Sequence, residues 1–223
     1  MNSPFWISLK VVAAALLIVI PIGTCIAWKL ATMKPGVICS TFETCVTLPI
    51  VLPPTAVGYL LLMLLGRGSG FGKWLNDGLN IHLIFTWQGA TIAAAVMSFP
   101  LFLRSALIAF RSIDYELLEA ARSLGVSGPT VLMKIGIPLG MRGLTSGLAL
   151  ALGRALGEFG ATVMVAGNIH GVTQTLPLAI YSKVEGGQDS QAMTYTVLLL
   201  GVGIVLLGLA QIFGNTTNTK YIR

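Results

Sequence analysis

Arg154 and Glu158 stand four residues apart inside an apolar stretch that runs from Leu144 to Gly167. That separation places two side chains on one face of a helix, where guanidinium and carboxylate neutralise each other. A lone charge at mid-bilayer costs on the order of 3 kcal/mol on insertion scales, so pairing or facing a polar interior is favoured. Two readings stay open: a neutralised pair that locks helix packing, and a polar lining of a translocation path or gate. Gly143 with Gly147, and Gly153 with Gly157, repeat the GxxxG spacing beside these charges. Such spacing lets helix backbones come close, which suits a bundle that shifts between two packings.

Few other residues are arranged for chemistry. No Ser/His/Asp or Cys/His arrangement offers a nucleophile with its base, so no catalytic residue is expected. His82 and His170 fall in different loops without neighbouring cysteines or paired carboxylates, a poor set of metal ligands. Cys25, Cys39 and Cys45 lack CxxC spacing and read as small apolar filler. The run Gly66 to Trp74, "GRGSGFGKW", fails as a phosphate-cradling loop, because Arg67 replaces its first glycine and Trp74 its Ser/Thr. No cofactor is therefore expected on this chain. Thr173, Gln174 and Thr175 read either as a contact for an external protein or as the start of a re-entrant polar segment. Glu185, Gly186, Gly187 and Asp189 read as an acidic, flexible loop on the same face.

The elements that must hold these residues follow from composition. Of 223 residues, 55% are hydrophobic and 10% charged, with a mean hydropathy of +0.84. A soluble domain carries about 25% charged residues, so this is an all-α polytopic membrane bundle, with no alternating segments for a barrel. About 20 apolar residues cross the hydrocarbon core. Five stretches qualify: Phe5 to Leu30, Phe42 to Leu65, Phe85 to Leu107, Leu144 to Gly167 and Met193 to Phe213. Pro21, Pro49, Pro53, Pro54 and Pro100 predict kinks or breaks within or at the ends of these spans. The first run is too long for a signal peptide and lacks a cleavage site, so it reads as a true span. The tail after Gly214 reads as polar and frayed.

Charge orients the bundle. Lys29, Lys34, Arg104, Arg111, Arg122, Lys134, Arg142, Lys220 and Arg223 fall on one side, against Arg67, Lys73 and Lys183 on the other. The richer side is cytoplasmic, which predicts an external amino terminus and a cytoplasmic carboxyl terminus. The net charge of +6 forms no patch with interleaved aromatics, so nucleic acid is not a partner. The chain is a single transmembrane domain, residues 1–223, in contact with membrane lipid.

Within it, residues 111–140 form a cytoplasmic segment of two short helices. Asp114 can cap the first, with Glu116 in its opening turn. Leu117, Ala121 and Leu124 make an i, i+4, i+7 stripe, flanked by Leu118 and Ala120. Gly125 stops that helix as a left-handed residue would. Ser127 caps the second, Pro129 enters its first turn, and Pro138 ends it. Ala120 and Ala121 are small where a lipid-seeking helix would carry bulk, and Glu119 adds one placed carboxylate. The combination suits docking into a groove of a soluble partner.

Glu119-Ala120-Ala121, Gly125, Ile135, Ile137 and Pro138 at this spacing resemble the EAA loop of binding-protein-dependent ABC importer permeases, with Ile137 where Leu is usual. "LPIVLPPTAVGYLLLMLLGRGSGFG", "FTWQGATIAAAVMSFPLFLRSA" and "GRALGEFGATVMVAGNIHGVTQTLPLAIY" are similar to the molybdate branch of that family, although His170 replaces a usual proline. Sulfate and tungstate permeases share much of this pattern. The resemblance implies a homodimer in the cytoplasmic membrane with two cytoplasmic ABC ATPase subunits and an extracytoplasmic oxyanion-binding protein. It implies that Glu119, Ala120, Ala121, Gly125, Ile135 and Pro138 form the ATPase-coupling surface. The rival class is an ion-gradient-driven secondary transporter, which would show inverted repeats and paired broken helices; no repeat is detected.

Overall fold

The structure, a computed structural model, describes residues 3–34 and 36–216. Lys220 and Arg223, counted above for orientation, lie outside the described residues, as does the end of the polar tail. Every element among the described residues is helical. Helix α1 (Pro4–Thr32) starts with proline in its first turn and carries Lys29 in its last. That order suits both termini, because Pro4 gives up an N–H with no intrahelical partner and Lys29 faces the negative end of the dipole. Helices α2 (Val37–Val51) and α3 (Pro54–Leu65) follow. The four-residue α4 (Gly70–Lys73) then runs into a π turn, Trp74–Gly78. Helix α5 (Trp87–Arg111) begins at Thr86, whose hydroxyl accepts from the Gly89 N–H at 3.2 Å.

The core is built where α1, α5 and α8 (Ile137–Leu156) pack together. Ala15, Ala27, Ala90, Ala94, Ala106 and Ala151 are wholly covered there, with Phe102 and Phe110 filling the space between. Small residues on all three helices bring the backbones together, which is how helices associate when lipid is as apolar as their side chains. Gly147 of α8 sits on Phe102 and Ser105 of α5, and Gly143 sits on Ala109 so closely that any side chain would collide. The second GxxxG differs: Gly153 and Gly157 are exposed and face no helix closely.

Among the described residues, four helices are long and apolar enough to cross a membrane: Pro4–Thr32, Trp87–Arg111, Gly128–Leu156 and Asp189–Ala210. A fifth span exists if Val37–Val51 and Pro54–Leu65, bent by 114° at their junction, count as one. The stretch expected as a single span from Phe42 to Leu65 is thus a broken pair. Pro53 and Pro54 remove two successive N–H donors there, and no helix bridges that gap. At Pro21, Pro49 and Pro100 the helices run on unbroken.

The fourth span also moves. It was expected over Leu144 to Gly167, but the continuous helix is Gly128–Leu156 and breaks at Gly157. Pro138 does not end the preceding helix. The chain passes from α7 (Gly128–Val131) to α8 through a π turn at Leu132–Gly136, where the Ile137 N–H reaches the Leu132 carbonyl. A proline ring crowds the carbonyl four residues back, and a π turn widens the helix just before it. After the break come α9 (Gly160–Ala166), α10 (Leu176–Glu185) and α11 (Asp189–Thr216). Only 6% of the α11 span is buried inside the chain, which leaves its apolar sides to lipid or to another protein.

Candidate functional site

Two regions carry the polar residues, one at each end of α8. At its amino-terminal end lies the segment 111–140. Helix α6 (Tyr115–Ser123) opens with Asp114, whose carboxylate accepts from the Glu116 N–H at 3.0 Å. It closes at Gly125, with φ +73°, and the Val126 N–H returns to the Ala121 carbonyl at 3.2 Å. This is the left-handed helix stop expected from the sequence. Ser127 stands before Pro129, and its hydroxyl meets that of Thr130 at 2.8 Å.

The apolar stripe divides differently from its spacing. Leu118 and Ala121 are buried with Val131, and Trp28, Ile113 and Ile135 pack around them. Leu117 and Leu124 are exposed, the latter 82%. Ala121 therefore faces the chain's own interior, and the open side of α6 includes Tyr115, Glu116, Leu117, Glu119, Ala120 and Ser123, with exposed Leu124 just beyond its end. Of the two small residues, Ala120 is therefore the one on the open side. Ile135 packs inward too, and Pro138, half-buried, follows the π turn.

At the other end, α8 breaks at Gly157 and the chain resumes helically at Gly160. Glu158 lies in the gap, 2% exposed. One carboxylate oxygen accepts from the Ala161 N–H at 2.7 Å, and the other lies 2.5 Å from Arg154 Nη1. The second contact is an ion pair without hydrogen-bond alignment. The expected pair forms, but across a break rather than along one helix. A single carboxylate thus satisfies the first turn of α9 and neutralises a cation on the last turn of α8.

The other broken helix meets this one. Gly160 lies against Pro54 and Thr55, and Gly58 lies against Ala161 so closely that an added Cβ would stand 2.7 Å from the Ala161 Cα. The packing is one-sided: Gly160 is buried against Pro54 and Thr55, whereas Leu52, Pro53, Pro54 and Thr55 are themselves exposed in the isolated chain. Beside them is a small cavity lined by Ser8, Val11, Ala155, Glu158, Thr162 and Thr175, among others.

Thr173, Gln174 and Thr175 belong to this region. All three are buried. Thr173 Oγ1 accepts from the Ile169 N–H at 3.0 Å, and Gln174 Nε2 donates to Asn168 Oδ1 at 3.0 Å. The Oε1 of Gln174 meets His170 Nδ1 at 2.9 Å. These bonds tie the loop to itself and, through Asn168 and Gln174, to Ser182 of α10. Thr175 Oγ1 has no hydrogen-bond partner among the described residues. The Leu176 N–H, opening α10, donates to Ser8 Oγ of α1 at 2.7 Å.

Some polar residues escaped sequence reasoning. Glu43 of α2 pairs with Arg111 at the end of α5 at 2.5 Å, and Lys10 stands 3.5 Å from the centre of the Trp87 ring. Both are charges inside apolar runs, the signal that singled out Arg154. Ser8 and Trp28 carry no such signal, since a serine or tryptophan in an apolar helix is ordinary.

The described helices thus form a bundle with two abutting breaks, the buried Glu158 carboxylate beside them and a pair of short helices at the other end of α8. The chain belongs to the binding-protein-dependent transport system inner membrane component family, whose pattern matches residues 19–218. It is 38% identical over 217 residues to the molybdenum transport system permease protein ModB of Escherichia coli, covering 95% of this chain and 94% of that one. It is 30% identical over 218 residues to the sulfate transport system permease protein CysW of a Synechocystis strain, covering 96% and 78%. Its fold resembles a chain of the bacterial alginate ABC transporter solved in complex with an alginate-pentasaccharide-bound periplasmic protein. The TM-score is 0.73 at 16% identity, over 92% of this chain and 75% of that one.

Proposed function

We propose that this chain is the membrane-spanning subunit of an ATP-driven importer of molybdate, working as a homodimer. Two cytoplasmic ABC ATPases would grip residues 111–140, and an extracytoplasmic oxyanion-binding protein would deliver the anion. The carrying observation is the identity to a molybdenum permease along nearly the whole of both chains. The lower identity to a sulfate permease keeps sulfate, and with it tungstate, as the second substrate reading.

In this reading Glu119 is the polar anchor on α6, with Ala120, Leu117 and Leu124 as the surface around it. Gly125 sets the turn, and Pro138 with its π turn sets the angle at which the segment enters α8. ATP closes the ATPase dimer and moves α6, and the bundle switches from inward-facing to outward-facing. Such switching needs a packed element with two discrete arrangements. The abutting breaks at Pro53–Pro54 and Gly157–Phe159 supply backbone free of the helical ladder, and Arg154 with Glu158 borders the path or gate there. ATP is used by the partner, and this chain holds no cofactor.

Uptake of labelled molybdate by vesicles holding the permease with its ATPase and binding protein tests the whole reading. Uptake is expected only with ATP inside and loaded binding protein outside, with sulfate competing weakly. Paired breaks are a feature that an ion-gradient-driven carrier would share. Uptake by the permease alone under an ion gradient would overturn the proposal in favour of that carrier.

A further inference from the structure

Two side chains, Ile113 of the coupling segment and Trp28 of α1, join groups that otherwise belong to different parts of the molecule, and Trp28 is the one from outside that segment. It packs on the cluster of Leu118, Ala121 and Val131 in the coupling segment, and also on the main core. Its ring stands edge-on to Phe110 of α5, with centroids 5.3 Å apart. Gly136, the last residue of the π turn, is its seat: a Cβ there would lie 2.6 Å from Trp28 Cζ3. The segment 111–140 therefore rests on α1 at a point where even a methyl group does not fit.

At its other end α1 holds the second polar region. Ser8 accepts from the Leu176 N–H and lines the cavity that Glu158 and Thr175 share. Ser8 and Trp28 are 20 residues apart on one unbroken helix, a distance of about 30 Å. Between them α1 is packed on α5 and α8 by Val11, Ala15 and Val19. Coupling between distant sites travels through contiguous packed elements that both sites bias, and α1 touches both.

We infer that α1 is a connecting rod: displacement of the coupling segment enters it through Trp28 on Gly136 and leaves it through Ser8 at the start of α10, beside the Arg154–Glu158 break. This rests on the reading that an ATPase grips residues 111–140. Trp28 and Ser8 are positioning residues that touch neither anion nor nucleotide.

The test is a double-mutant cycle in the reconstituted transporter, read as molybdate carried per ATP hydrolysed at equal amounts of folded protein. Gly136→Ala crowds the indole and Trp28→Phe leaves a gap. Each single variant is expected to lower the ratio roughly three- to tenfold, with ATP hydrolysis retained. In the double variant the added methyl fills the gap, and the ratio is expected to recover to within about twofold of the unaltered protein. Ser8→Ala, at the far end, is expected to lower the same ratio without touching the coupling segment. Additive losses in the double variant, or an unchanged ratio in Ser8→Ala, would overturn the rod. Glu119→Lys separates the two levels. If it leaves uptake intact, the docking reading itself fails; if it abolishes uptake while the cycle is additive, only the rod fails.

Discussion

Glu158 is bound to both halves of a broken helix, and its two oxygens have separate duties. Arg154→Ala keeps the contact to Ala161 but strands a buried carboxylate, at a cost of about 3 kcal/mol. Folded protein in the membrane is expected to fall. Removing both charges in Arg154→Ala/Glu158→Ala is expected to restore much of it, because an uncharged site has no charge left to desolvate. Under the proposed role of the pair as the border of the path, uptake by the double variant is expected to stay low. Recovery of uptake together with protein level would leave the pair a packing role only. Gly125 is simpler. Nothing lies within 4 Å of where its Cβ would be, so Gly125→Ala meets only the left-handed backbone. The expected loss is about 1 kcal/mol, seen as easier proteolysis at the end of α6.

At the scale of elements, the breaks were only half legible. Two adjacent prolines announce the one between α2 and α3, but not that it bends by 114°. The break after Leu156 carries no proline. It arises because Gly157 has no side chain to pack and Glu158 offers the next turn a carboxylate, which a hydropathy window counts only as one charge. The contact of α3 with α9 holds these breaks together. Gly58→Val is expected to destabilise by about 1–3 kcal/mol, because its side chain would meet the Ala161 backbone. Gly68→Ala, with nothing within 4 Å, is the control. Thermal unfolding of the two variants in detergent measures the difference.

For the whole molecule, orientation is the testable property. In a background lacking Cys25, Cys39 and Cys45, a cysteine replacing Glu119 is expected to react with membrane-impermeant thiol reagents only from the cytoplasmic face. One replacing His170 is expected to react only from the opposite face. Labelling of both from one side would undo the charge-based topology. The exposed apolar sides of α11 and α2 are expected to meet lipid or the second subunit, since Val37, Ile38 and Val51 are each 82% exposed in the isolated chain.

Hydropathy and charge along the chain were sufficient for a helical membrane bundle, the α6 caps and the left-handed Gly125, because those depend on neighbours within a few residues. The same locality made Arg154 and Glu158 conspicuous as a pair. Tertiary packing alone decided that Ala121 turns inward while Leu124 stays open, since an apolar stripe has no direction until something lies beneath it. It also decided that Thr173 and Gln174 are buried and bonded to Ile169 and Asn168. Ser8 meeting Leu176 joins residues 168 apart in the chain, and no spacing rule reaches that far: only the closing of α1 against α10 brings the hydroxyl to the N–H.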